Sequence, residues 1–242
     1  MNEIVIPVQL IEALKKAQRV AILTGAGISA ESGIPTFRDQ LTGLWAKYRP
    51  EELATSKGFQ RNPRMVWEWY AARREKVHTV EPNAGHYALA ELARKVPELT
   101  LATQNVDGLH QRAGSEGVIE LHGNINRVKC FDEGLLVDSW NENQGIPPRC
   151  PRCGGFLRPD VVWFGEMLPD EVFEKAEYAA KKCDVFFSIG TSGQVEPAAS
   201  LARIAHGIVI TINLEVESLI SPYRYNFNGK AGEILPLLVQ KL

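Results

Sequence analysis

The chain is short of cysteine, with four in 242 residues, short of methionine, with three, and has no unbroken apolar run of bilayer length. Four cysteines are too few to staple a fold of this size, so a disulfide-framework protein is excluded. A membrane-spanning helix needs about 18 or more consecutive apolar residues, and no such run occurs. Charge of one sign is lacking too, since the formal net charge is -2. That excludes a global pull toward nucleic acid or anionic membrane. Residues 1–7 carry neither a basic cluster nor the apolar core of a secretory signal, so the cytoplasm is the expected compartment. Internal repeats and low-complexity segments are also missing.

What is present suits a globular enzyme. Apolar residues make up 45% and charged residues 23% of the chain, ordinary values. A chain this long buries roughly 70–75% of its unfolded surface without staples. Leu10, Ile11 and Leu14 have helical spacing within 8–18. Short apolar runs predict strands at 20–24, 99–103, 118–122, 161–164, 185–189 and 208–212. Between them, Asn62 before Pro63 predicts a capped helix over 63–80, and Asn83 caps one over 84–95. A further helix is expected over 170–182. Strands alternating with helices predict a parallel α/β sheet, whose ligands bind beyond the carboxyl ends of the strands. Those ends read Gly25-Ala26-Gly27, Gln104-Asn105-Val106-Asp107, Gly190-Thr191-Ser192 and Asn213-Leu214-Glu215.

The first end continues as Gly25-Ala26-Gly27-Ile28-Ser29-Ala30, a G-x-G-x-x-G/A loop directly after a strand. Its glycines let backbone amides approach a pyrophosphate. A dehydrogenase would place an acidic strand end about 20 residues on. Here the chain instead enters a Pro-bearing loop containing Phe37 and Arg38, and Glu215 becomes the candidate ribose acid. That loop suits a reaction shielded from water. The plainer readings are that Phe37 packs in the core and Arg38 makes a surface ion pair. Among five histidines, His122 stands out because it follows a strand and enters Gly123-Asn124. A neutral imidazole there can take a proton from a hydroxyl, while Asn105 and Asp107 can orient a ribose or a water.

Together these residues resemble the sirtuin family. The match runs nearly the whole chain: Gly-Ala-Gly-Ile-Ser at 25–29, Gly-Ile-Pro-x-Phe-Arg at 33–38, Thr-Gln-Asn-Val-Asp at 103–107, Leu-His-Gly at 121–123, Val-Val-Trp-Phe-Gly-Glu at 161–166, Gly-Thr-Ser at 190–192 and Val-Glu-Pro-Ala at 195–198. The resemblance implies an α/β fold: a Rossmann-like doubly wound parallel sheet with a small domain made of a helical insertion and a zinc-ribbon-like insertion. The sheet domain is expected over 1–34, 81–126 and 160–242, and the insertions over 35–80 and 127–159.

The resemblance also implies an NAD-consuming protein-lysine deacylase. In such enzymes the acyl oxygen attacks the nicotinamide-ribose carbon and nicotinamide leaves. The histidine, here His122, acts as general base on a ribose hydroxyl. The products are free lysine, nicotinamide and an O-acyl-ADP-ribose. Asn105 and Asp107 match residues of the ribose and nicotinamide pocket. Phe37 and Arg38 match the guarding loop, with Arg38 counted among the catalytic residues. Ala231 joins Gly190, Thr191, Ser192, Asn213 and Glu215 in the expected cofactor set. The acylated lysine of a protein substrate is expected as an added strand along Val161, Phe164, Gly165, Glu166 and Val195. Neither nucleic acid nor membrane is an expected partner, and the chain is expected to act as a monomer.

Tyr70 and Arg73 lie three apart on the helix over 63–80, on a line with Val66 and Val77. Met65, Trp69, Ala72 and Val80 form a second line expected to face inward. An arginine on the first line faces protein and wants a carboxylate; Arg74 beside it is expected to be solvated. The pair resembles the acyl-pocket signature of class III sirtuins, which prefer malonyl-, succinyl- or glutaryl-lysine. Ala54 aligns with the small residue that leaves room for a longer acyl chain. An internal salt bridge, or a place on the rim, is the alternative for Arg73.

The family's zinc module needs two C-x-x-C pairs. Cys150 and Cys153 form one pair; the other reads Cys130-Phe131-Asp132-Glu133, with glutamate where a thiolate belongs. Zinc on three cysteines plus Glu133, Asp132 or water, a weak site in a partly disordered module, and a metal-free module all stay open. Cys183 is expected in the core. Rival functions are mono-ADP-ribosyl transfer from the same NAD site, nucleic-acid binding by a zinc ribbon, and a redox dehydrogenase.

Overall fold

The computed structural model describes residues 4–35, 49–141, 145–214 and 224–242. Phe37, Arg38 and Glu215 lie outside the described residues. The chain opens with α1 (Val8–Lys16), β1 (Arg19–Thr24) and the single turn α2 (Ala26–Ala30). Then come α3 (Pro50–Leu53), α4 (Ser56–Arg61), α5 (Pro63–His78) and α6 (Ala84–Lys95). Next are β2 (Glu98–Thr103), α7 (Leu109–Arg112), β3 (Ile119–Glu120), β4 (Gly123–Cys130) and β5 (Leu157–Val161). The chain ends through α8 (Asp170–Lys182), β6 (Val185–Ile189), α9 (Leu201–Ile204), β7 (Ile208–Asn213), β8 (Arg224–Asn228) and α10 (Ala231–Gln240).

Six strands form one sheet in the order β3-β2-β1-β6-β7-β8, with every pair parallel. The chain winds outward from β1 through β2 and β3. It then returns to β6 and winds the other way, so the topological switch lies between β1 and β6. Side chains alternate along β1. Val20 and Ile22 meet Leu10 and Leu14 of α1, Leu89 and Leu92 of α6 and Leu235 and Leu238 of α10. Ala21 and Leu23 face the opposite layer, with Ala176 and Ala180 of α8 and Leu201 of α9. Burial on both faces explains why β1 and β6 read as continuous apolar runs. The expected doubly wound α/β sheet is found. No described helix is long and apolar enough to cross a membrane.

β4 and β5 form a separate antiparallel pair, with a register shift between Asn124 and Val128. The boundaries expected at 126/127 and 159/160 therefore fall inside these strands. Two strand expectations change as well. The strand expected over 118–122 contracts to Ile119–Glu120, and the one expected over 161–164 lies earlier, at Leu157–Val161. In both places the apolar residues continue past the paired backbone because Leu121 and Trp163 are buried by tertiary packing.

α5 starts as its sequence predicts. The Asn62 side chain accepts from the Met65 N–H at 3.1 Å with Pro63 in the first turn, a cap worth about 1 kcal/mol. Val66, Trp69, Tyr70 and Val77 are buried against Phe59, Ile125, Val161 and Trp163. Each such side chain contributes about 1.5–3 kcal/mol. The second predicted line does not hold, because Ala72 is exposed. Arg74 is not free in solvent either: it donates to the Ile125 carbonyl at 2.7 Å, since α5 crosses β4 there.

Candidate functional site

The carboxyl ends of β1 and β6 meet at three glycines. The Gly27 N–H donates to the Gly190 carbonyl at 2.8 Å, and the Gly25 N–H to the Ile189 carbonyl at 2.9 Å. A Cβ on Gly27 would lie 2.7 Å from the Gly190 Cα, and one on Gly25 2.8 Å from the Gly190 oxygen. Side chains there would drive the two strand ends apart. The motif is thus a close-approach device, and it opens a cleft of about 360 Å³ at the switch point. Gly27, Ala30, Gly190, Asn213 and Ala231 line it, as do Glu31 and Lys230, which the sequence reading did not select. Lys230 follows β8, a strand whose mixed polar pattern, Arg-Tyr-Asn-Phe-Asn, gave no signal. The neighbouring strand ends interlock. Gln104 Nε2 donates to Thr191 Oγ1 at 2.9 Å, and Asn213 Nδ2 to the Thr191 carbonyl at 3.0 Å. Ser192 Oγ accepts from the Gln194 N–H at 3.4 Å.

Deeper in, the polar groups hold one another. Asn105 Nδ2 donates to the Gly25 carbonyl at 3.1 Å and to Ser29 Oγ at 3.0 Å. Ser29 Oγ donates to Asp107 Oδ2 at 2.7 Å, and the Leu109 N–H to Asp107 Oδ1 at 2.9 Å. Burial pushes the Asp107 carboxyl up, opposed by the Leu109 and Ser29 hydrogen bonds and by the nearby Arg73 charge. Ser29 was missed as a site residue. Its place in the glycine loop, one residue before the end of α2, was the available signal.

His122 lies between β3 and β4. Its Nδ1 is 3.0 Å from the Gln104 carbonyl. A carbonyl only accepts, so Nδ1 carries the proton and Nε2 keeps its lone pair. Burial lowers the His122 pKa, partly offset by the Gln104 hydrogen bond, so the ring is neutral near pH 7. The main chain is fixed too: the Val162 N–H donates to the His122 carbonyl at 2.9 Å. The next residue, Gly123, has φ +79°, and a Cβ there would lie 2.2 Å from the Asp160 oxygen.

Behind the site, His86 and His110 stack edge to face at 4.9 Å. His86 Nδ1 accepts from the Asn83 N–H at 3.2 Å, and His110 Nε2 lies 2.9 Å from Thr24 Oγ1. Burial holds their pKa values at about 4 and about 3, the latter with help from the neighbouring ring. The unfolded chain binds these protons near 6.5. Both folded values are depressed, so their stabilisation is complete above 6.5 and drains away as pH falls toward 4. Each should contribute a slope of about 1.4 kcal/mol per pH unit in that window. Urea unfolding between pH 7 and 5 should show the loss, and His110→Asn should flatten the slope. An unchanged slope would count against this assignment.

The acyl-pocket residues come together on α5. The Tyr70 hydroxyl accepts from Trp163 Nε1–H at 3.0 Å, and burial pushes the phenol up to about 12. Arg73 is only half-buried as a residue, yet its Nε and Nη1 are sealed from water without a hydrogen-bond partner. Its guanidinium lies 4.6 Å from the Trp69 ring centroid. Burial lowers its pKa, opposed by the attraction of Tyr70 and Asp107. Among the described residues no carboxylate forms an ion pair with it. Ala54 is buried alongside, and its carbonyl accepts from the Phe164 N–H at 2.9 Å. Phe164 and Val195 are exposed, Gly165 follows, and Val161 is buried at the end of β5. Glu166 is different. Its carboxylate points inward to Arg158, Ser56 and the Trp163 N–H, so only its backbone can meet a peptide.

The four candidate metal ligands also converge. Cys130 Sγ, Cys150 Sγ, Cys153 Sγ and a Glu133 carboxylate oxygen all lie within 4.8 Å of one another. A tetrahedral zinc with bonds of about 2.3 Å spaces its ligands about 3.8 Å apart, inside that limit. Three thiols and one carboxylate are a donor set that suits zinc, and all four cysteines of the chain are free. Glu133 also pairs with Arg152 at 2.8 Å. Cys183 is buried apart from this cluster and donates to the Ala180 carbonyl.

Comparison with known proteins follows the same lines. A family model described as the Sir2 family matches residues 25–197. A Ralstonia nicotianae protein named NAD-dependent protein deacylase is 51% identical over 236 residues, covering 96% of each chain. One of the same name from Pyrococcus furiosus is 50% identical over 239 residues, covering 95% of each. A solved Sir2 homologue–NAD complex superposes with TM-score 0.86 at 44% identity, covering 98% of this chain and 93% of that one. A Sir2 structure bound to acetylated peptide gives 0.82 at 28% identity, covering 96% and 97%.

Proposed function

The chain belongs to the Sir2 family, and from this membership we infer that it is an NAD-dependent protein-lysine deacylase whose pocket takes acidic acyl groups. The observation that carries the first part is His122, neutral, with Nε2 free, beside the committed Asn105–Ser29–Asp107 network and the switch-point cleft. NAD fits that cleft because it opens beyond the strand ends at the switch point and is lined by Gly27, Ala30, Gly190 and Asn213, whose small or polar side chains leave it open.

When bound, NAD supplies the electrophilic ribose carbon that receives the acyl oxygen. The chain's residues do the rest. The cleft beside the glycine loop and the polar strand ends seat the phosphates and riboses. Asn105 and Asp107, each fixed by Ser29, orient the nicotinamide end. His122 Nε2 takes a proton from a ribose hydroxyl. Phe37 and Arg38, outside the described residues, keep by family resemblance the role of guarding the intermediate. Glu215 and Ala231 complete the cofactor set, and the peptide lies along Val161, Phe164 and Val195 as an added strand.

The acidic-acyl reading rests on Arg73. A guanidinium with two sealed, unpaired nitrogens is costly unless a ligand acceptor completes it. Tyr70 stands one turn before it. Malonyl- and succinyl-lysine bring a carboxylate to both, and acetyl-lysine does not. Incubation with NAD and acetyl-, malonyl- or succinyl-lysine peptides tests the whole reading. Faster turnover of the acidic peptides with release of O-acyl-ADP-ribose is the expected result. Label from NAD retained on protein would indicate ADP-ribosyl transfer instead.

Zinc is assigned to Cys130, Cys150 and Cys153, with Glu133 as fourth ligand in place of the missing thiolate. Its part is structural, and a cytoplasmic setting keeps these thiols reduced. Protein purified without chelator should carry close to one zinc per chain, and Cys150→Ser should lose it. Well under one zinc in the parent would rule out a tightly held site.

A further inference from the structure

Trp163 is buried between the two insertions, and its surroundings fix its direction. Its indole N–H donates to the Tyr70 hydroxyl oxygen at 3.0 Å, and its main-chain N–H to Glu166 Oε2 at 2.8 Å. The Arg158 guanidinium covers its ring, 3.3 Å from the centroid. Arg158 is itself buried and grips both Glu166 oxygens, at 2.5 and 3.0 Å, and the Val161 carbonyl at 2.6 Å. Ser56 Oγ adds a bond to the same carboxylate at 2.7 Å. The Phe59 ring packs 5.4 Å away. A paired buried charge of this kind sets geometry more than it adds stability.

The consequence falls on Tyr70. A phenol hydroxyl has one hydrogen to give and lone pairs to offer. Trp163 occupies the accepting side, and no described residue takes the hydrogen. One turn further along α5, two nitrogens of Arg73 are also without a partner. Two sets of donors are therefore left for one acceptor, and the indole decides which way the first of them points. Without it, the hydroxyl is free to rotate away.

We propose that Trp163 is the positioning residue of acyl selectivity: its indole N–H sets the Tyr70 hydroxyl so that its proton and the Arg73 guanidinium face one acyl carboxylate. This rests on the acidic-acyl reading above. Trp163 does not touch the acyl group; it acts through Tyr70.

The test is a double-mutant cycle on holoenzyme, with KM measured for succinyl- and acetyl-lysine peptides at saturating NAD. Trp163→Phe keeps the ring and deletes the donor. It should raise the succinyl-to-acetyl KM ratio roughly two- to tenfold, the scale of one net hydrogen bond. In a Tyr70→Phe background the same change should add nothing to the ratio. Equal loss on both acyl groups, or a full additive shift in the double variant, would overturn the proposal. If Tyr70→Phe and Arg73→Met leave the ratio unmoved, the acidic-acyl reading itself fails and takes the proposal with it. Should Trp163→Phe not fold, the wild-type indole proton resonance of Trp163 serves. It should shift on adding succinyl-lysine peptide and much less with acetyl-lysine peptide; equal shifts would refute the idea.

Discussion

His122→Ala is expected to lower turnover of acyl-lysine peptides by about two to four orders of magnitude, the usual worth of a positioned general base. The geometry gives the reason. The Gln104 carbonyl holds Nδ1–H, so the lone pair on Nε2 is available without any tautomer change. The loss should be selective within the reaction. In the proposed mechanism the base acts on a ribose hydroxyl after nicotinamide has left, so exchange of labelled nicotinamide into NAD should survive better than product formation. The pH profile gives a second check. Burial lowers the His122 pKa, so the base stays deprotonated further into acid than an ordinary histidine near 6.5. The acid limb of kcat/KM should therefore fall below that value, with the rate rising as pH climbs through it. A limb above 6.5, or equal loss of exchange and product formation, would count against this role.

Arg73→Met is expected to cost succinyl-lysine turnover about tenfold to more than a hundredfold, the scale of hydrogen bonds to a charged group. Acetyl-lysine turnover should fall far less. Methionine keeps much of the volume and removes the charge, so the effect reads the carboxylate contact rather than a collapsed pocket. The variant should also unfold at a higher temperature, because a sealed and unpaired guanidinium is taken out of the fold. Equal loss on both acyl groups, with reduced stability, would show that Arg73 is structural.

The parts of the site that sequence could show are those carried by local rules. The glycine loop after β1 is a contiguous signal, and its fit against Gly190 followed from sheet topology. Tyr70 and Arg73 could be paired because helical spacing alone puts them on one face. Asn62 and Asn83 cap their helices through bonds to near neighbours. Long-range contacts were not visible. Trp163 meets Tyr70 across 93 positions, and Glu166, expected along the peptide, turns its carboxylate inward to Arg158. β8 has no apolar run, because only Phe227 of its five residues is buried. The β4–β5 pair escaped for a related reason: its register shifts partway, so neither strand keeps a clean alternation.

The placement of His122 has one more consequence. β3 belongs to the large sheet and β4 to the small one, and only Leu121 and His122 separate them. Leu121 is fully buried in the core of the large sheet, while the His122 carbonyl is tied to Val162 just beyond β5. The imidazole is therefore mounted where the two sheets join. Its orientation is set from both at once: the Gln104 carbonyl at the end of β2 holds the ring, and the Val162 N–H beyond β5 holds the main chain.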